Sequence, residues 1–213
     1  MKSFLIIGMG SFGHHLCRCL AEQKCEIMIV DECAERVEEM LPYAVSSKIG
    51  DCTNVEVLKS FGVKNFDACF VCIDMFQNSL EITSLLKELG AKKVFAKADR
   101  DVQAKFLLRN GADEVIYPER DVADRLAVRV SSENIFDCMA FSRDHFIVEM
   151  QVPEKWVGRS VGEINVRAKY SLSVLAIKRE SRVTPLTSAD EKFLENDHLM
   201  VLGHIQDIRK LTK

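Results

Sequence analysis

The sequence holds no apolar run of the roughly 18 residues that a membrane-spanning helix needs, so a helical span is not expected. Its opening, MKSFLIIG, lacks the longer apolar stretch and the small-residue cleavage site of a secretion signal, and runs straight into glycines. That reads as a first β-strand. Positive charge is not in surplus either. The 29 Lys and Arg face 32 Asp and Glu, a net charge of -3, which argues against a protein that coats duplex nucleic acid. Catalytic signatures are missing: there is no HExxH, no Ser-His-Asp order, and no GxxxxGK followed by Ser or Thr. The five histidines, His14, His15, His145, His198 and His204, show no metal-ligand spacing.

Cysteine is present, but not in the pattern of a disulfide framework. Seven of the eight cysteines fall within residues 17–72 of a 213-residue chain, which has neither the signal nor the small-domain context of a stapled secreted fold. Cys69 and Cys72 make a CxxC inside the apolar run ACFVCI. In a strand, positions three apart point to opposite faces, so the pair cannot easily share a metal. Free cytosolic thiols are the expectation.

Apolar residues make up 47% of the chain, enough for sizeable cores. In the first 130 residues or so they recur as short, nearly continuous apolar runs alternating with helical periods. Strands are expected at 4–8, 26–30, 44–51, 68–73, 93–98 and 114–117. Helices are expected at 11–23, 34–41 (stopped by Pro42), 54–60, 77–89, 101–110 and 121–131. Strands buried on both faces between helices are the doubly wound α/β plan. Near Ser131 the character changes. Residues 131–145 are polar and less periodic, a linker or docking strand. Beyond them FIVEMQV, SVLAIKR, RVTPL and HLMVLG read as short strands with a helix near 160–164, a small α+β domain. The expected division is therefore 1–131 and 132–213, and the second part is small enough that oligomer contacts are expected to support it.

Gly8-Met9-Gly10-Ser11-Phe12-Gly13 is a GxGxxG that follows an expected strand, opens an expected helix, and precedes an acidic residue, Asp31, at the end of the next strand. Each part has a physical task. Gly8 permits the tight turn, Gly10 leaves room for a pyrophosphate, and Gly13 lets helix and strand pack closely. The N–H groups of Ser11, Phe12 and Gly13 would face phosphate at the helix start. Asp31 can accept from ribose hydroxyls and would repel a 2′-phosphate, which favours NAD, ATP or ADP over NADP. On the same sheet edge, Asp51 and Cys52 are candidates for adenine or ribose contact, although Asp51 or Thr53 could equally cap a helix. Lys97 is a candidate phosphate ligand or a salt-bridge partner. Glu119 is a candidate for a divalent cation between subunits or a helix-start residue.

These segments resemble the regulator of potassium conductance (RCK) family of bacterial Trk/Ktr type, a TrkA-N followed by a TrkA-C domain. IIGMGSFG, VD at 30–31, GD at 50–51, AKA at 96–98 and GADEVIYPERD at 111–121 carry the likeness in the first half. VGRSVGEINVRAKYSLSVLAIKR from Val157 to Arg179 and NDHLMVLG from Asn196 carry it in the second. The resemblance implies a non-enzymatic, cytoplasmic gating subunit, peripheral to the inner membrane face through a potassium-translocating partner. It implies homodimers assembling into an octameric ring that binds ATP, ADP, NAD or NADH. It assigns Gly8, Gly10, Gly13, Asp31, Asp51 and Lys97 to the nucleotide and Glu119 to a cation. It also implies a cyclic di-AMP site at Val161, Gly162, Asn165 and Arg167. Two departures stand out. Gly162 replaces a bulky aliphatic, and Ser11 stands where many ATP-responsive members carry Arg. The competing readings are a small NAD-dependent oxidoreductase, which would need a poised proton-transfer group, and an NADH-sensing repressor, which would need a basic DNA-reading helix.

Overall fold

The computed structural model describes residues 1–142 and 144–211. They form two compact units, Met1–Arg120 and Asp121–Lys213. The first contains β1 (Ser3–Ile7), α1 (Ser11–Glu22), β2 (Glu26–Asp31), α2 (Ala34–Met40), β3 (Ser46–Ile49), α3 (Val55–Lys59), β4 (Ala68–Val71), α4 (Phe76–Glu88), β5 (Val94–Lys97), α5 (Asp101–Arg109), β6 (Glu114–Ile116) and the start of α6 (Pro118–Val130). The strands are all parallel, in the order β3-β2-β1-β4-β5-β6. This is the strand order of a Rossmann sheet.

Residue alternation explains why the strands need helices on both faces. On β1, Leu5 and Ile7 join one core cluster with Val71, Val94 and Leu107, whereas Ile6 joins another with Ile27, Ile29 and Met40. Both faces of the strand are therefore dry. The chain reverses its direction of winding at β1, which pairs β2 on one side and β4 on the other. The carboxyl ends of β1, β2 and β4 thus open together on one edge.

Two local expectations need correcting. Pro42 does not simply end α2. The chain passes through one further 3-10 turn, Leu41–Tyr43, with Pro42 near its start, where a missing N–H costs nothing. The cap of α3 is neither Asp51 nor Thr53 but Asn54, whose side chain accepts from Glu56 N–H.

The second unit carries β7 (Ile135–Ala140), β8 (His145–Gln151), α7 (Val161–Ile164), α8 (Val166–Tyr170), β9 (Ser173–Arg179), β10 (Arg182–Pro185), β11 (His198–His204) and α9 (Ile205–Leu211). Its antiparallel sheet runs β10-β9-β11-β8-β7. One face is buried against Trp156, Phe193, Ile164 and Ile208. The segment read as a linker or docking strand is β7, paired to β8. The division between units also falls earlier than residue 131. Most of α6 belongs with the second unit, because Val128 packs into its core, Arg125 pairs with Asp137, and Cys138 Sγ donates to Arg125 O.

Candidate functional site

The glycine loop between β1 and α1 is fixed by two of its glycines and left open by the third. Gly8 has φ +95°, and a Cβ there would lie 2.8 Å from Cys72 O. Its N–H donates to Val30 O and Cys72 N–H donates to Ile7 O, which ties the ends of β1, β2 and β4 together. A Cβ on Gly13 would sit 2.0 Å from Gly8 O, so α1 can lie this close to the loop only with glycine there. Gly10 differs. Its backbone is ordinary extended chain (φ -68°, ψ -175°), and a Cβ would meet nothing within 4 Å. Nothing in the protein requires glycine at that position.

Gly10 opens α1. The first turn has no capping side chain and no acidic residue, so its N–H groups are offered outward. Ser11 is exposed, and Phe12 packs its ring into the cluster around Ile6 and Met40, leaving its main chain to the loop. A cleft of about 250 Å³ lies beside this turn. Of the residues singled out from the sequence, Gly8, Gly10, Asp31 and Cys52 line it.

Asp31 is held in place by the main chain. Its Oδ2 accepts from Met9 N–H at 2.6 Å and its Oδ1 from Cys33 N–H at 2.8 Å, so the carboxylate clamps the glycine loop to the start of α2. Asp51 accepts from both the hydroxyl and the N–H of Thr53, which holds its carboxyl below the usual range. Cys52, next to it, is buried. Burial, reinforced by Asp51, Glu32 and Asp31, pushes its thiol up to about 12. Burial does the same to Cys72, also to about 12. Both thiols in the cleft are neutral and poor nucleophiles.

Lys97 does not line the cleft, but it holds a residue that does. Its Nζ lies 2.7 Å from Asp74 Oδ1 and 2.8 Å from Glu119 Oε1, with Asp99 at 3.9 Å. Burial opposes the ammonium charge, and the bonds to Asp74 and Glu119 overcome it, so the Lys97 pKa is raised. The bond from Lys97 in turn lowers that of Glu119. Glu119 lies in the first turn of α6, earlier than the expected helix start at 121. Within one chain its partner is Lys97, and no group of three or more His, Cys, Asp or Glu among the described residues could hold a metal.

Sequence reasoning missed Arg36 and Asp74, both of which line the cleft. Asp74 had a usable signal, its place just beyond the carboxyl end of the fourth strand. Arg36 had none, since it reaches the cleft from one turn inside α2.

In the second unit Val161, Gly162, Asn165 and Arg167 line one cleft of about 370 Å³, together with Ser173 and Thr187. Gly162 N–H donates to Ala189 O at 2.8 Å, and a Cβ on it would come 3.2 Å from the same oxygen. Asn165 takes the left-handed conformation (φ +54°) between α7 and α8, which asparagine tolerates.

The sheet order, the glycine loop and the open helix terminus define a Rossmann-type nucleotide-binding module, joined in one chain to a small α+β unit. Residues 4–118 match the TrkA-N domain and residues 146–213 the TrkA-C domain, and the chain belongs to this family of RCK regulatory subunits. It is 37% identical over 213 residues to Ktr system potassium uptake protein C of Bacillus subtilis (strain 168), covering 100% of this chain and 96% of that protein. It is 34% identical over 210 residues to Ktr system potassium uptake protein A of the same organism, covering 98% and 95%. Among solved structures, the GsuK channel bound to NAD superposes with a TM-score of 0.69 at 17% identity, over 100% of this chain and 39% of that one.

Proposed function

We propose that this chain is the nucleotide-sensing, non-enzymatic gating subunit of a Trk/Ktr-type potassium-translocating system, acting at the cytoplasmic membrane face through a membrane partner. The observation that carries the reading is Gly10. Its missing side chain has no structural reason within the protein, and it stands at an uncapped helix N-terminus beside the Asp31 carboxylate. An adenine nucleotide, whether ATP, ADP, NAD or NADH, accounts for all three. Its phosphates meet the N–H groups of Ser11, Phe12 and Gly13, and its ribose meets Asp31, with Asp51 and Cys52 beyond. Among the described residues no helix is long and apolar enough to cross a membrane, in keeping with a partner that supplies the pore.

Lys97 gives the site a route outward. A phosphate that draws its ammonium away from Asp74 and Glu119 changes the charge balance in the first turn of α6, a helix that continues to Val130. Gating then requires that the nucleotide bind two assembly states unequally. The exposed stripe Val122, Leu126 and Val130 on α6 supports a homodimer, since such a stripe calls for an apolar partner, and in this reading the homodimers build an octameric ring. A cation at Glu119 would need ligands from a neighbouring subunit. The second cleft, with exposed Arg167, is the place for cyclic di-AMP. An oxidoreductase is disfavoured by the cleft's chemistry, in which both thiols are held neutral and no histidine lines the wall.

Calorimetric titration of the purified chain with ATP, ADP, NAD, NADH and cyclic di-AMP, with and without a divalent cation, tests the reading. Micromolar binding of adenine nucleotides without turnover is expected. Absence of binding to any of them, or steady conversion of NADH, would overturn it.

A further inference from the structure

The nucleotide cleft suits a ribose and phosphates, but its walls hold no aromatic side chain on which a base could stack. Its apolar lining is Ile7, Val30, Ile73 and Met75. The one cation among the described residues that line it is the planar guanidinium of Arg36, 3.9 Å from Asp31, in a cleft that Glu32, Asp74 and the carboxamide of Asn78 also line. Arg36 is not engaged in holding Asp31. Both Asp31 oxygens already accept short bonds from Met9 and Cys33 N–H. The Arg36 contact to Asp31 Oδ2 is long, 3.9 Å, and the side chain keeps 57% of its surface exposed. The guanidinium is therefore placed beside the carboxylate yet free to turn its face.

A ribose whose hydroxyls bond Asp31 carries its base on the adjacent ring carbon, within reach of a group 3.9 Å from that carboxylate. Guanidinium planes stack on aromatic faces and add a cation–π attraction. The geometry points to Arg36 as the residue that covers the base of the bound nucleotide and makes the site prefer a purine. This rests on the nucleotide reading above. A 2′-phosphate is the rival occupant of the guanidinium. Asp31 and Glu32 line the same end of the cleft and would repel a doubly negative group there.

The test is calorimetric titration of wild type, Arg36→Lys and Arg36→Ala with ADP and UDP, and of wild type and Arg36→Ala with NAD and NADP. Exposed Arg36 should leave the ligand-free fold of both variants intact, which thermal melts verify. Affinity for ADP should fall about tenfold in both variants, because Lys keeps the charge but not the plane. The preference of wild type for ADP over UDP should shrink in Arg36→Ala. Wild-type ADP affinity in Arg36→Lys would reduce the residue to a point charge and overturn the inference, as would an unchanged ADP-to-UDP ratio in Arg36→Ala. NADP binding more tightly than NAD in wild type, with that advantage lost in Arg36→Ala, would overturn it in favour of a phosphate contact. A wild-type protein that bound none of these would overturn the nucleotide reading itself, and the inference with it.

Discussion

Gly10 and Gly162 each line a cleft, one in each unit, and the two glycines mean different things. Gly162, in the second unit, lies against the backbone of Ala189, where even a Cβ would press at 3.2 Å. Its identity is explained by packing, and it stands where bulk was expected. Gly10, in the first unit, has open space and an unstrained backbone. Its identity is explained only by something outside the protein. A glycine in a loop is thus evidence for a ligand only after the fold's own demand has been subtracted. By that measure Gly8 and Gly13 report on architecture and Gly10 on function.

The sharpest way to break the comparison is to fill the glycines one at a time. Gly13→Ala places a Cβ 2.0 Å from Gly8 O, a clash with backbone that cannot rotate away. The first unit should lose about 3 kcal/mol or more of stability, measured by chemical denaturation followed through far-UV circular dichroism. A loss below about 1 kcal/mol would mean that α1 can back away from the loop, and that Gly13 is not architectural.

Gly10→Asp should act in the opposite sense on fold and on ligand. Asp is a favoured N-cap and carries a charge that suits a helix N-terminus, so stability should hold or rise by about 0.5 kcal/mol. The same carboxylate consumes the open N–H groups and repels phosphate. Adenine-nucleotide affinity should therefore fall about a hundredfold or more. Retained affinity would show that the phosphates lie elsewhere, and the contrast with Gly162 would lose its meaning.

How much of this was legible beforehand divides along the same line. In the first unit the inner strands β1, β2 and β4 are largely buried on both faces, so each shows as a nearly unbroken apolar run, and the sheet and glycine loop could be read directly. The start of α6 was missed because Pro118 reads as a breaker, yet at the first position of a helix its missing N–H is no loss. In the second unit β7 was hidden by a register shift between Ile135 and Asp137, which breaks the alternation a strand should show. The helices α8 and α9, of 5 and 7 residues, are too short to display a period. Arg36 belongs to the site by folding alone, with no local pattern to mark it, whereas Asp74 was marked only by its place just beyond the end of β4.

The second unit also holds a partly buried charge network, centred on a carboxylate where the one beside the nucleotide cleft is centred on Lys97, and this gives the smallest and most specific of the predictions. Glu149 on β8 is nearly buried, and its Oε1 lies 2.7 Å from Lys178 Nζ and 2.8 Å from His198 Nδ1. His198 in turn stacks on Phe136 of the edge strand β7, with ring centroids 4.0 Å apart. Burial alone would raise the Glu149 pKa. The bonds from Lys178 and His198 outweigh it and hold the value below the ordinary 4.5. A carboxyl whose folded pKa is depressed contributes stability above its unfolded pKa and loses it as pH falls through the folded value. The second unit should therefore weaken below pH 4.5 in wild type, and Glu149→Gln should remove that part of the loss. At neutral pH the variant should be about 1 kcal/mol less stable, and the gap should close as pH falls below 4.5 through the depressed folded value. The chain's single tryptophan, Trp156, lies in this unit's core, so its fluorescence during denaturation reports on this unit. A gap that stayed constant with pH would mean that the network acts through packing around Phe136 rather than through the Glu149 charge.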